Sequence, residues 1–136
     1  LSGCKKKNPT PPSVEEVQLG KLSQTWKIKT VFLDNVDKTA DYPGFTLVIS
    51  GTPGASSFTY TVGGRPSTSP WLGSGTWVFG TDPQTAIIRD QGSADELNMT
   101  YAVTDAQLQI SFNFTASGYQ ARTSNVKGAW VFTFTL

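Results

Sequence analysis

Histidine is absent from this chain of 136 residues, and cysteine occurs once, at Cys4. A single cysteine rules out a disulfide within the chain. Without histidine, the chain lacks the usual ligands of a His/Cys zinc site and the base of a Ser-His or Cys-His nucleophile. We therefore expect a protein that is not an enzyme and that uses no cofactor or metal.

Charged residues are also scarce, at 15 % of the chain against 38 % hydrophobic residues. The net charge is +1, and the basic residues are concentrated in the run Lys5-Lys6-Lys7. From Lys21 to Leu136 the chain carries eight basic and eight acidic residues. A neutral body has no general attraction to nucleic acid, so no nucleic-acid partner is expected. The length fits one domain, which we expect to be a monomer.

The first four residues, Leu1-Ser2-Gly3-Cys4, resemble a lipobox, in which small residues precede a cysteine that becomes lipidated. The resemblance implies a bacterial lipoprotein with a lipid anchor on Cys4. It places the protein in the cell envelope, at the outer membrane, facing either the periplasm or the surface. The alternative is an unmodified cysteine in a disordered tail.

The segment that follows Cys4 is rich in lysine and proline, so residues 1–12 are interpreted as a tether that cannot bury apolar surface. Ser13 and Glu16 have the spacing of a capping box, which predicts a short helix that ends at Gly20. Residues 13–24 therefore form a short lead-in, and residues 25–136 form the main domain.

From Thr25 onward, apolar and polar residues alternate with the period of two that is typical of β-strands. The pattern predicts eight strands, at 25–33, 45–50, 57–62, 75–79, 85–89, 97–103, 107–114 and 129–136. Such a series indicates an all-β fold, either an eight-stranded antiparallel up-and-down barrel or a nearly closed sandwich.

One face of these strands carries most of the aromatic residues, and the other carries Lys, Gln, Asn, Ser and Thr. A transmembrane barrel has the opposite arrangement, with an apolar outside and a polar inside, so we disfavour it. Eight strands leave a narrow interior, which predicts a packed core instead of a deep pocket. Thirteen rings are predicted to point inward: Trp26, Phe32, Phe45, Phe58, Tyr60, Trp77, Phe79, Tyr101, Phe112, Phe114, Trp130, Phe132 and Phe134.

Three short motifs suggest a family. Leu22-Ser23-Gln24-Thr25-Trp26 opens the first strand much as the Leu-x-Gly-x-Trp segment opens lipocalins, although Gln24 stands where that pattern has glycine. Gly75-Thr76-Trp77 and Gly128-Ala129-Trp130 echo one another. Together the motifs resemble the lipocalin-like domains of small Gram-negative bacterial lipoproteins. That resemblance implies a barrel and the possibility of a small apolar ligand.

Alternate loops of a meander lie at the same end, so the four longer loops (34–44, 63–74, 90–96 and 115–128) share one end, here called the long-loop end. Long loops are where binding sites tend to lie. Aromatic residues and arginines, the usual residues of recognition surfaces, collect there. The candidate binding residues are Tyr42, Arg65, Trp71, Arg89, Tyr119 and Arg122. The alternative is that these rings fold down and plug the barrel.

Three functions are compatible with these patterns. The favoured one is a non-catalytic binding module that recognises a protein or glycan through the long-loop end. The second is a carrier of a small apolar ligand, which needs an internal cavity. The third is a hydrolase that uses the paired carboxylates of Asp95 and Glu96, although a solvated turn explains that pair better.

The oxygens of Asp34, Asn35, Asp37 and Asp41 could bind Ca²⁺, but these are also ordinary turn residues.

Overall fold

The computed structural model describes residues 12–66, 69–115 and 127–136. Cys4 and most of the predicted tether lie outside the described residues. The described part consists of one helix, a short 3-10 helix at Thr39–Asp41 and a series of β-strands. In chain order the elements are α1 (Val14–Leu22), β1 (Thr25–Leu33), β2 (Val36–Asp37), β3 (Thr46–Ser50), β4 (Phe58–Gly63), β5 (Ser74–Phe79), β6 (Ala86–Arg89), β7 (Leu97–Val103), β8 (Gln107–Phe114) and β9 (Gly128–Thr135).

The strands form a closed antiparallel barrel. Each long strand pairs with its neighbour in the chain, and β9 pairs with β1 to close the sheet. The closing ladder runs from the Trp130–Leu33 pair to the Thr135–Lys27 pair. The predicted eight-stranded up-and-down barrel is therefore confirmed. The short β2 is an addition, and it pairs only with the end of β1.

The alternating pattern correctly identifies the inward face of most strands. In β8, Leu108, Ile110, Phe112 and Phe114 are all buried. Eleven of the thirteen rings predicted to point inward are buried, and Phe79 packs against the core while partly exposed. Leu136, by contrast, is half exposed at the end of the chain.

Phe32 is the exception among the predicted core rings. Thr133 pairs with Thr30 but Phe134 pairs with Ile28, so Lys29 is an extra residue that forms a β-bulge in β1. A bulge shifts the alternation by one residue. Val31 and Leu33 consequently point into the core, and Phe32 is only half-buried. The prediction of Phe32 as a core ring was wrong because the sequence pattern does not reveal the bulge.

Helix α1 closes the end of the barrel opposite the long-loop end. Ser13 and Glu16 form the predicted capping box, but the helix continues through Gly20 to Leu22. Leu19 and Leu22 are buried, and the indole nitrogen of Trp26 donates to the Leu22 carbonyl at 2.9 Å. The helix continues past Gly20 because these leucines bury apolar surface, which offsets the low helix propensity of glycine. Among the described residues, no helix has the length and apolar character needed to cross a membrane.

Candidate functional site

At the long-loop end, three of the predicted binding residues are buried. Tyr42, Trp71 and Arg89 are each only 2 % exposed. This placement matches the alternative in which the rings plug the barrel, and it does not match an exposed recognition patch. Arg65 is half-buried, and its guanidinium donates to the Trp71 carbonyl at 2.9 Å. Tyr119 and Arg122 lie outside the described residues, so their role in binding stays a prediction.

A short segment of the loop between β4 and β5 holds the plug in place. Ser69 is fully buried, and its hydroxyl lies 3.1 Å from the hydroxyl of Tyr42. The same Ser69 oxygen accepts a hydrogen bond from the backbone N–H of Trp71 at 3.2 Å. These contacts join the loop before β3 to the loop before β5, so the two loops close the barrel mouth together.

The two plug rings are continuous with the aromatic core. Tyr42 meets Phe45 and Phe132 edge-on, with ring centroids 5.1 and 5.3 Å apart. Trp71 meets Phe132 and Phe112 edge-on at 5.7 and 6.1 Å. Edge-to-face pairs at these distances are favourable beyond the area that they bury. Burial also raises the pKa of the Tyr42 hydroxyl to about 12, although the hydrogen bond with Ser69 opposes that shift.

Arg89 links three segments beneath the plug. It is the last residue of β6, and its side chain is buried. The guanidinium donates to the carbonyl of Pro70 at 2.6 Å and to that of Asp95 at 3.2 Å. Its charge is balanced by the adjacent Asp90 carboxylate, 3.4 Å from the Arg89 Nε. The guanidinium carbon lies 6.0 Å from the centre of the Trp71 ring. Arg89 therefore acts as an internal brace for the loops and is not available to a partner.

Asp90 is a key residue of this end that the sequence pattern did not reveal. Its backbone has a positive φ of 51°, an uncommon conformation in which Asp is enriched. Its carboxylate accepts hydrogen bonds from the Tyr60 hydroxyl and from the backbone N–H of Thr76, both at 2.9 Å. A Cβ on Gly75 would lie 2.2 Å from the Asp90 carboxylate. The glycine of the first Gly-x-Trp motif is thus needed for the close approach of Asp90.

The interior of the barrel is nearly full. The cavity inside it has a volume of about 20 Å³ and is lined by core residues such as Leu47, Trp77 and Ile110. That volume is close to the space one water molecule needs, far below the roughly 300 Å³ or more of a typical ligand pocket. The prediction of a packed core agrees with this cavity volume.

A larger concavity lies on the outer wall of the barrel. It has a volume of about 920 Å³ and follows β6 to β9, from the turn at Gly80–Asp82 to Glu96 at the long-loop end. We call it the wall groove. Within the described part of the chain, its outward-facing residues have short or medium side chains without positive charge: Ala86, Ile88, Asn98, Thr100, Ser111, Asn113, Ala129 and Val131. The sequence places these residues on the polar face but does not show that this part of the face is concave.

Three of the acidic residues considered as chemical sites, Asp34, Asp37 and Glu96, accept hydrogen bonds from backbone N–H groups. Asp34 accepts a hydrogen bond from the Ala129 N–H at 2.9 Å, and Asp37 accepts one from the Thr39 N–H at 2.8 Å. The hydrogen bonds from Thr39 lower the pKa of Asp37. Glu96 accepts from the Gly92 N–H at 2.8 Å. Within residues 12–66, 69–115 and 127–136, no group of three or more His, Cys, Asp or Glu side chains is placed to hold a metal ion.

Comparison with known proteins does not identify a family. No known protein family, no curated protein and no solved structure matches this chain. The lipocalin-like and lipoprotein resemblances therefore stay predictions that rest on the short motifs in the sequence.

Proposed function

We propose that this protein is a non-catalytic binding module that recognises a protein or glycan on its outer surface, at the wall groove where it reaches the long-loop end. One observation carries this proposal. The interior has about 20 Å³ of free space, whereas the wall groove offers about 920 Å³. A partner larger than a water molecule therefore finds room on the outside of the barrel and not within it.

The closed ends of the barrel support the same proposal over the carrier alternative. Helix α1 covers one end, and the plug formed by Tyr42, Ser69 and Trp71 covers the other. A small apolar ligand would have to displace either the helix or the plug, and it would then compete with packed aromatic rings for the same volume.

The buried residues of the long-loop end take a supporting role in this proposal. Arg89 and Asp90 tie β6 to β4, β5 and the segment before β7. These contacts hold the loops in one arrangement, together with the part of the wall groove that lies at the long-loop end. Binding to a pre-organised surface loses less conformational entropy than binding that must order loops.

We also propose that the protein is tethered to a membrane of the cell envelope through a lipid on Cys4. The support is the lipobox-like sequence Leu1-Ser2-Gly3-Cys4 and the lysine- and proline-rich residues after it. Because the chain enters the domain through α1, at the end opposite the long loops, the tether would direct the long-loop end away from the membrane.

Two matched threonine variants test the binding site. Thr100→Arg places a long charged side chain inside the wall groove, and Thr61→Arg places the same side chain on the outer face of β4, away from the groove. The wild-type protein and both variants are screened against arrays of peptides and of bacterial envelope glycans. We expect array ligands that lose binding with Thr100→Arg and keep it with Thr61→Arg. Equal binding by all three proteins would refute the assignment of the groove as the site.

A further inference from the structure

The outward-facing side chains of the wall groove form rows that cross its four strands. Thr100 and Ser111 pair with each other across β7 and β8. On either side of them, Ala86 of β6 pairs with Thr100, and Val131 of β9 pairs with Ser111. The row therefore has two hydroxyl groups in its middle and an apolar side chain at each end. At about 4.8 Å between neighbouring strands, it spans roughly 14 Å.

A second row repeats this order of polar and apolar residues. Asn98 of β7 pairs with Ile88 of β6, and Asn113 of β8 pairs with Ala129 of β9. The wall groove therefore has a polar centre on β7 and β8 and apolar sides on β6 and β9. A pyranose sugar has the matching chemistry, with hydroxyl groups around its rim and C–H groups on its two faces.

The two asparagine amides of the polar centre are available to a ligand. Asn98 and Asn113 are both exposed, and neither amide forms a hydrogen bond with another residue in the described part of the chain. Each amide has two N–H donors and one carbonyl acceptor. An asparagine can therefore donate to one hydroxyl of a sugar and accept a hydrogen bond from the adjacent one.

The charges of the wall groove disfavour an anionic ligand. Asp82 borders one end and Glu96 the other, both are exposed, and no Lys or Arg is among the described residues that line the groove. One oxygen of each carboxylate accepts a backbone hydrogen bond, from Gln84 and Gly92 respectively. The second oxygen of each can accept a hydrogen bond from a hydroxyl group, and such charge-assisted bonds are stronger than neutral ones.

The wall groove lacks the side chains that usually anchor a protein partner. Energetic hot spots of protein interfaces are enriched in Trp, Tyr and Arg. Among the described residues, none of these types faces outward in the groove, and the Trp130 ring that borders it is buried. The composition of the groove therefore favours a glycan over a protein.

We infer that the wall groove binds an uncharged glycan chain. Sugar hydroxyls hydrogen-bond to the amides of Asn98 and Asn113, and the C–H faces of the sugar rings pack against Ile88 and Val131. This inference rests on the proposed function and specifies its partner class. The groove volume of about 920 Å³ lies within the range of roughly 300–1,000 Å³ that is typical of small-molecule sites, so an oligosaccharide has room to bind.

The probes for this inference are fluorescent 1,4-linked hexasaccharides of glucose, galactose, mannose and N-acetylglucosamine. Each has a comparison hexasaccharide in which the C6 hydroxyls are oxidised to carboxylates, so that the charge changes while the linkage is kept. We expect at least one uncharged hexasaccharide to bind with a Kd below about 1 mM, and its oxidised counterpart to bind at least about tenfold more weakly. Added salt should narrow this difference, because it screens the repulsion of the carboxylates by Asp82 and Glu96.

Protein variants then locate the glycan. Asn98→Ala and Asn113→Ala should each weaken binding roughly three- to tenfold, because each removes hydrogen bonds to the sugar. Gln109→Ala is the matched control, since it removes an amide from the outer face of β8 outside the groove and should leave binding unchanged. Thr100→Arg should weaken binding at least about tenfold by filling the groove.

Two further measurements separate binding from folding. Urea unfolding should show Asn98→Ala and Asn113→Ala to be as stable as the wild type, because their amides form no hydrogen bond within the described part of the chain. In NMR spectra of the wild type, the bound hexasaccharide should shift the side-chain amide signals of Asn98 and Asn113 and leave that of Gln109 in place.

The outcomes distinguish this inference from the proposed function. Absence of binding by every hexasaccharide would overturn the inference, and peptides that bind the wild type but not Thr100→Arg would then leave the proposed function intact. Equal binding of an uncharged hexasaccharide and its oxidised counterpart would overturn the selection of uncharged glycans. A dimer that dissociates with Thr100→Arg would overturn the inference by identifying a second copy of the chain as the occupant. Ligands that are indifferent to all three groove variants would overturn both proposals.

Discussion

The Asp90 carboxylate and the Tyr60 hydroxyl are joined by a 2.9 Å hydrogen bond, although the two residues lie 30 positions apart in the chain. The second oxygen of that carboxylate accepts the backbone N–H of Thr76 on the strand between them. The bond therefore connects β4, β5 and the residue after β6 at the level of the barrel mouth. Asp90 also balances the buried charge of Arg89.

Removal of this carboxylate should destabilise the domain strongly. Asp90→Ala leaves Arg89 buried without its counter-charge, and we expect a loss of about 3–5 kcal/mol in the free energy of unfolding. Asp90→Asn keeps one acceptor oxygen and the tolerance for positive φ, so its loss should be smaller. Urea unfolding measures both. A loss below about 1 kcal/mol for Asp90→Ala would show that the network does not brace the barrel end.

Gly75 and Gly73 form a matched pair for testing close packing. A Cβ at residue 75 would lie 2.2 Å from the Asp90 carboxylate and 2.8 Å from the Tyr60 hydroxyl, whereas a Cβ at residue 73 has no atom within 4 Å. We expect Gly75→Ala to cost about 1–3 kcal/mol because Asp90 and Tyr60 must shift. Gly73→Ala should be close to neutral in the same unfolding measurement. Equal effects would contradict this account of the Gly-x-Trp motif.

Trp71→Ala should act mainly on stability. The ring is buried against Phe45, Phe112 and Phe132, and its loss should cost about 3–5 kcal/mol. Trp71→Phe should cost less, because it keeps a ring and removes an indole N–H that has no hydrogen-bond partner in the described part of the chain. Calorimetry checks both variants. A fully stable Trp71→Ala protein would mean that the plug is not part of the core.

The Tyr42 hydroxyl should make stability depend on alkaline pH. Its pKa is raised from 10.0 to about 12 in the folded protein. Below pH 10 the group is neutral in both states, and its contribution to stability is fully present. Between pH 10 and about 12 the unfolded state releases the proton first, so stability falls by up to about 1.4 kcal/mol per pH unit.

Tyr42→Phe removes this titration, so its stability should fall less steeply than that of the wild type between pH 10 and 12. Burial also raises the pKa of Tyr101, but that group is present in both proteins and does not affect their difference. Denaturant unfolding at a series of pH values gives the two curves. Parallel curves above pH 10 would show that Tyr42 is exposed to solvent.

Cys4→Ser tests the proposed lipid anchor. With a lipoprotein signal segment fused in front of Leu1, the chain is produced in a Gram-negative bacterium in the presence of radiolabelled palmitate. We expect label in the wild-type protein and none in the variant, because the chain has only one thiol. The variant should also leave the membrane fraction. An unlabelled wild-type protein would contradict the lipobox interpretation.

The sequence alone determined the strands and most of the core. The period of two is a local property, since side chains of a strand alternate between its faces wherever it pairs. This is why the inward residues of β8 and most of those of β9 agree with the prediction. The capping box of α1 is equally local, because Ser13 and Glu16 contact each other within one turn.

Only the tertiary structure decided where the alternation of inward and outward residues shifts, and whether the loop residues are exposed or buried. The bulge at Lys29 depends on the closing ladder with β9, a partner about 100 residues away, and it moves Phe32 out of the core. Tyr42 and Trp71 are residue types that are common in recognition surfaces. Here they are buried, because packing against the aromatic rings of the core removes their apolar surface from water. The wall groove is lined by four strands, β6 to β9, whose outer faces lie side by side only in the folded barrel.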